Sequence, residues 1–138
     1  MKIAIIGSGG REHALAATIS KSSVINEIVC IPGNAGTSKI ATNVEIDINE
    51  FDKLHKFIKE NSIDLVVVGP EQPLVNGIVD YLEKFDIKVF GPNRIASQLE
   101  GSKIFTKKLC QEYNIPTANF GIFENRVDAK KFLENTKY

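Results

Sequence analysis

The stretch "IIGSGGREHALA", residues 5–16, runs from an apolar segment into Gly7, Ser8, Gly9 and Gly10 and then into Arg11, Glu12 and His13. An apolar run that stops at glycine and resumes with a helical pattern marks the join between a buried strand and a helix. Glycine lets the backbone turn tightly there and approach a ligand closely. The first free N–H groups of the helix then point at that ligand, with the positive end of the helix dipole behind them. The join therefore predicts an α/β fold and an anion-binding loop together.

The rest of the chain repeats the rhythm. "KIAII" (2–6), "EIVCI" (27–31), "NVEI" (43–46), "DLVVVG" (64–69) and "IKVFG" (87–91) are short and rich in β-branched residues, and their apolar side chains mostly follow one another without alternation. Strands buried on both faces of a parallel sheet read this way. Between them lie helical patterns. Ala14, Leu15 and Ile19 fall on one side of residues 11–21, Phe51, Leu54, Phe57 and Ile58 on one side of 50–60, and Leu74, Ile78 and Leu82 on one side of 74–84. Strand, helix, strand in this order predicts right-handed βαβ units, and hence a doubly wound, mostly parallel sheet with helices on both faces over about residues 1–92.

The pattern changes after that. A helix over about 102–113 is followed by "IPTANFGIF" (115–123), read as a strand begun by Pro116. A second helix lies near 126–135, with Val127, Phe132 and Leu133 facing inward. The boundary is drawn at 101/102, and residues 102–138 read as the opening of a second domain.

A dinucleotide fingerprint requires Gly-x-Gly-x-x-Gly and an acidic residue about twenty positions later, at the tip of the second strand. Gly7 and Gly9 fit, but the third position is Glu12 and the second strand ends in "CIPGN". A stand-alone nucleotide or dinucleotide module is thus the lesser alternative, and a monophosphate suits the loop better. Three more loops would leave the same edge of a parallel sheet: "PGNAG" (32–36), "GPEQP" (69–73) and "GPN" (91–93). Ligands of open α/β sheets sit where such loops converge. Arg11 could add a bidentate contact to a phosphate, Asn34 offers donors and an acceptor, and Glu71 offers a carboxylate for sugar hydroxyls or an amine. His13, with no nucleophile near it in sequence, reads as structural.

Bulk composition narrows the ligand class. Seventeen basic residues balance seventeen acidic ones across 138 residues. No overall field therefore draws the chain to nucleic acid or an anionic membrane, and an anion must be held locally. The N-terminal apolar run is too short for a signal segment or a bilayer span, which predicts a cytoplasmic protein. Cys30 and Cys110 have no metal-ligand spacing and read as buried thiols of a reducing compartment.

The motifs "IIGSGGREHALA", "PGNAGT", "DLVVVGPEQPLVNGIVD", "FGPNRIASQLEGSKIFTK" and "YNIPTANF" resemble, in order and in register from residue 1 to about 123, the N-terminal portion of the phosphoribosylamine–glycine ligase family of the ATP-grasp superfamily. The resemblance implies a carbon–nitrogen ligase of purine biosynthesis. Such an enzyme uses ATP and Mg²⁺ (or Mn²⁺) to turn glycine into an acyl phosphate, which the amine of 5-phosphoribosylamine attacks. It implies that Gly9, Gly10 and Arg11 meet the 5-phosphate, that Asn34 and Glu71 meet the sugar or its amine, and that Lys103 in "EGSK" reaches the nucleotide phosphates. It implies further that the catalytic groups, the metal ligands and the glycine site lie beyond residue 138. This chain alone is then expected to be catalytically incomplete and to bind no nucleotide tightly. Apolar residues of its tail, among them Phe105, Leu109, Phe120, Phe132 and Leu133, would lack cover, so the tail is expected to be mobile or to pair with a second copy.

Overall fold

The computed structural model describes residues 1–136. Two compact units divide the chain, Met1–Gly101 and a second from Ser102 onward. Lys137 and Tyr138, at the end of the predicted second domain, lie outside the described residues.

The first unit is built on β1 (Lys2–Gly7), β2 (Glu27–Pro32), β3 (Thr42–Asn43), β4 (Leu65–Val68) and β5 (Val89–Phe90), in the sheet order β3-β2-β1-β4-β5. Every pairing is parallel, with Ile5 opposite Cys30 on one side and Val67 on the other. Alternate residues of the central strands feed two cores. Ala4, Ile6, Val66 and Val68 face Leu54, Ile58, Ile78 and Leu82, whereas Ile3, Ile5, Cys30 and Val67 face Ala16. That accounts for the unbroken apolar runs, since a strand covered on both faces has no side to leave polar.

The helices are α1 (Gly10–Ile19), α2 (Phe51–Glu60), α3 (Glu71–Asn76), α4 (Ile78–Glu83) and α5 (Arg94–Gly101). In α1 the fully buried position is Ala16, and Ala14 points outward, contrary to the sequence expectation. A small residue lets the helix approach the strands closely at its buried stripe. The single helix expected over 74–84 is two, because Gly77 adopts φ +93°, a left-handed conformation that ends α3 before α4 begins. The segment after β3 is irregular; only Thr42 and Asn43 pair, although Val44, Ile46 and Ile48 still pack on the core. Helix α5 escaped the periodicity reading. Its start signal was present, since Asn93 Oδ1 accepts the Ala96 N–H at 2.9 Å as an N-cap does.

The second unit contains α6 (Lys103–Glu112) and α7 (Arg126–Asn135), capped by Ser102 and Asn125. No strand forms over 115–123, contrary to expectation. A run with apolar residues after a proline is not sufficient for a strand: its backbone needs a ladder partner, and among the described residues none pairs with this segment. Val127 and Leu133, expected to face inward, are 62% and 56% exposed, and Phe132 is 36% exposed.

Candidate functional site

The chain winds from β1 outward to β2 and β3, and on the other side from β4 to β5, so the direction of winding reverses between β1 and β4. The loops leaving these two strands part at that point and open a crevice outside the carboxyl ends of the sheet. Residues 7–10 form one wall and 69–71 the other.

Arg11 joins the walls. Its Nη1 donates to the Gly69 carbonyl at 2.7 Å and its Nη2 lies 3.1 Å from Glu71 Oε1, both side chains remaining largely exposed. The Glu71 carboxyl is held below the usual carboxylate range, first by its own backbone N–H and then by hydrogen bonding to, and the charge of, Arg11. The Arg11 guanidinium is correspondingly shifted up, chiefly by its hydrogen bond to Glu71 and that residue's charge, with a smaller contribution from Glu100. Glu100 was not foreseen. With Glu71, Leu74 and Ser97 it lines a cavity of about 150 Å³ between α3 and α5. The signal that could have found it is the α5 start at Asn93, which sets the helix face.

Beneath the same loops lies Glu12, in the position of the third fingerprint glycine and only 4% exposed. Its Oε2 accepts the Gly9 N–H at 2.6 Å. A Cβ at Gly7 or Gly9 would come within 2.7 and 2.8 Å of Glu12 side-chain atoms, and one at Gly69 would collide with Oε1. These glycines make room for a buried carboxylate. Gly10 differs: a Cβ placed there meets nothing within 4 Å. The space in front of it is open.

Asn34 lies at the neighbouring strand end, and its side chain is engaged within the protein. Nδ2 donates to the carbonyls of Ser8 and Gly9 at 2.8 and 3.1 Å, and Oδ1 accepts from the N–H groups of Gly36 and Thr37. Asn34 thereby fastens the 32–36 loop to the glycine loop. Thr37, fully buried, supports it by accepting the Asn34 N–H at 2.7 Å and donating to Asn43 Oδ1 at 2.7 Å. The His13 ring packs on Gly36, in keeping with a structural role. Cys30 is wholly buried, and desolvation pushes its thiol up.

The structure thus brings Gly9, Gly10, Arg11, Asn34 and Glu71 together at one crevice. Lys103 opens α6 in the second unit and is exposed. A larger cleft in that unit, about 910 Å³, is lined by residues 114–122 with Cys110, Gln111, Phe132 and Thr136, and of these only Cys110 is titratable. Among the described residues no group of three or more His, Cys, Asp or Glu side chains is arranged to hold a metal ion. No helix among them is long and apolar enough to cross a membrane.

The sequence pattern of the family described as phosphoribosylglycinamide synthetase, N domain, matches residues 1–100. Over all 138 residues the chain is 46% identical to the phosphoribosylamine–glycine ligase of Caldanaerobacter subterraneus subsp. tengcongensis, covering 33% of that protein. It is 48% identical over 136 residues to the enzyme of the same name from Mesorhizobium japonicum, covering 99% of this chain and 32% of the relative. It spans about a third of the length of these curated relatives. The crystal structure of phosphoribosylamine–glycine ligase from Thermotoga maritima superposes with a TM-score of 0.74 at 30% identity, over 99% of this chain and 31% of that one. The N5-carboxyaminoimidazole ribonucleotide synthetase of the same organism shares the fold, with a TM-score of 0.72 at 16% identity over 95% of this chain and 36% of that one.

Proposed function

The chain belongs to the phosphoribosylglycinamide synthetase N-domain family, and from that membership we propose that residues 1–101 form the part of a ligase site that holds 5-phosphoribosylamine. The observation that carries this is Gly10. Neither a positive φ nor a protein neighbour requires glycine there, and it opens a helix at the switch point of the sheet. Its bareness leaves room for a ligand to reach the N–H groups of Gly10 and Arg11, which have no acceptor within the helix. A sugar 5-phosphate seated on these groups gains charge-assisted hydrogen bonds, and the Arg11 guanidinium can add a bidentate one.

Arg11 and Glu71 hold each other across the crevice. A ligand with a phosphate at one end and an amine at the other offers each of them a replacement of opposite charge. Asn34 acts from behind, fixing the loop by hydrogen bonds to Ser8 and Gly9. A protein of the relatives' full length would join glycine to the bound amine, as their name describes; ATP and a divalent metal as co-reactants, and a cytoplasmic location, belong to the same proposal. Lys103, at the start of α6, is proposed only as a contact to the nucleotide. Calorimetric titration of the chain with ribose 5-phosphate, a stable stand-in for the short-lived amine, tests the reading. Binding that Arg11→Ala weakens by roughly tenfold or more, the worth of hydrogen bonds to a charged group, is the expected result. Equal affinity in the two proteins would overturn the role of Arg11.

A further inference from the structure

We propose that Glu12 is the positioning residue of the phosphate loop: it takes the Gly9 N–H out of the ligand's reach and leaves the N–H groups of Gly10 and Arg11 as the backbone donors. The inference rests on the sugar-phosphate reading of the crevice and adds to it a choice of donors. Three observations carry it. Glu12 is 4% exposed as a residue and its Oε2 accepts the Gly9 N–H at 2.6 Å, so that N–H is turned inward. Gly7, Gly9 and Gly69, from both walls of the crevice, each lack the Cβ that would strike the Glu12 side chain. In contrast, Gly10 faces open space.

The physical logic is that of a reciprocal cap. An acidic side chain in the first helical turn is favoured by the dipole and satisfies a backbone donor that would otherwise wag toward solvent. Here the acceptor lies under the loop, so satisfying Gly9 also fixes the direction of the next two N–H groups. Arg11 holds the loop from the exposed side and Glu12, its neighbour in sequence, from the buried side. The two residues immobilise the donors before a ligand arrives, which reduces the ordering that binding must impose.

The test follows the amide resonances of Gly9, Gly10 and Arg11 by ¹H–¹⁵N NMR in the 138-residue chain, in Glu12→Gln and in Glu12→Ala, each titrated with ribose 5-phosphate. In the unsubstituted chain the Gly9 proton is expected far downfield and slow to exchange, and ligand should shift Gly10 and Arg11 while leaving Gly9 nearly in place. Glu12→Gln, which keeps an acceptor of the same reach, should move Gly9 upfield but retain most of the affinity. Glu12→Ala should lose the slow exchange of Gly9 and bind about tenfold more weakly, the scale of a hydrogen bond to a charged group. A Gly9 resonance unchanged by both substitutions, or one that the ligand shifts as far as Gly10, overturns the proposal. If the unsubstituted chain binds no ribose 5-phosphate, the sugar-phosphate reading fails, and Gly9 exchange in the two variants still decides whether Glu12 holds the loop. A Glu12→Ala chain that does not fold leaves the decision to Glu12→Gln.

Discussion

At the scale of single residues, the crevice is defined by which groups already have partners. Arg11 and Glu71 face the opening and hold each other, whereas Glu12 and Asn34 are engaged inside the loops. Glu71 supplies a pH test. Its carboxyl is depressed in the folded chain, so its contribution to the closed pair is fully present above the ordinary carboxylate pKa of roughly 4.3. That contribution is lost as pH falls through its own lower value. Arg11→Ala is expected to raise the Glu71 titration midpoint toward the ordinary range, without reaching it because the residue's own N–H remains. Carboxyl-carbon NMR would read this, and an unmoved midpoint would contradict the pair. That Gly9, Gly10, Arg11 and Glu71 lie together at the strand ends was legible in the sequence, because glycine after a buried strand and charge at a helix start have direct physical meanings; what each contacts in a ligand is a proposal. The internal role of Asn34 was not, since an amide that can bind a ligand can equally fasten a loop. Nor was Glu12: a missing glycine signals only what the loop is not, and a buried carboxylate becomes visible once the glycines around it are placed.

At the scale of elements, the strands were read correctly where two neighbours cover them and poorly where they do not. β1, β2 and β4 are buried on both faces, and their apolar runs could mean little else. β3 and β5 pair over only two residues each, and the strand expected at 115–123 has no partner at all among the described residues. Helix periodicity has the same limit: α2 shows its buried stripe plainly, with Leu54 and Ile58 at most 1% exposed, whereas α7 has apolar residues at helical spacing and leaves them largely uncovered. The contrast predicts unequal sensitivity. Leu54→Ala should destabilise the first unit by about 2–5 kcal/mol, the range for emptying a filled core position. Leu133→Ala, at 56% exposure, should change stability by no more than about 0.5 kcal/mol. Denaturant titration with one probe in each unit would measure both, and comparable losses would show that α7 is covered.

At the scale of the whole molecule, a chain with no net charge has only local donors on a parallel sheet to offer an anion, and it spans about a third of the relatives it matches. We propose that the ligation belongs to the longer protein. Purified chain given ATP, glycine and freshly made phosphoribosylamine is expected to release no phosphate above background, and turnover would show that residues 1–138 suffice. The central claim, that the crevice in front of Gly10 holds a sugar phosphate, is tested most directly by calorimetric titration of ribose 5-phosphate into the chain and into Gly10→Ala. The substitution should leave the fold intact and raise its stability by about 0.4–1 kcal/mol, because helical backbone accepts alanine and the unfolded chain loses freedom. The predicted result is measurable binding to the unsubstituted chain and severely weakened binding to the stabilised variant. Equal binding to both, or none to either while both remain folded, would contradict the account.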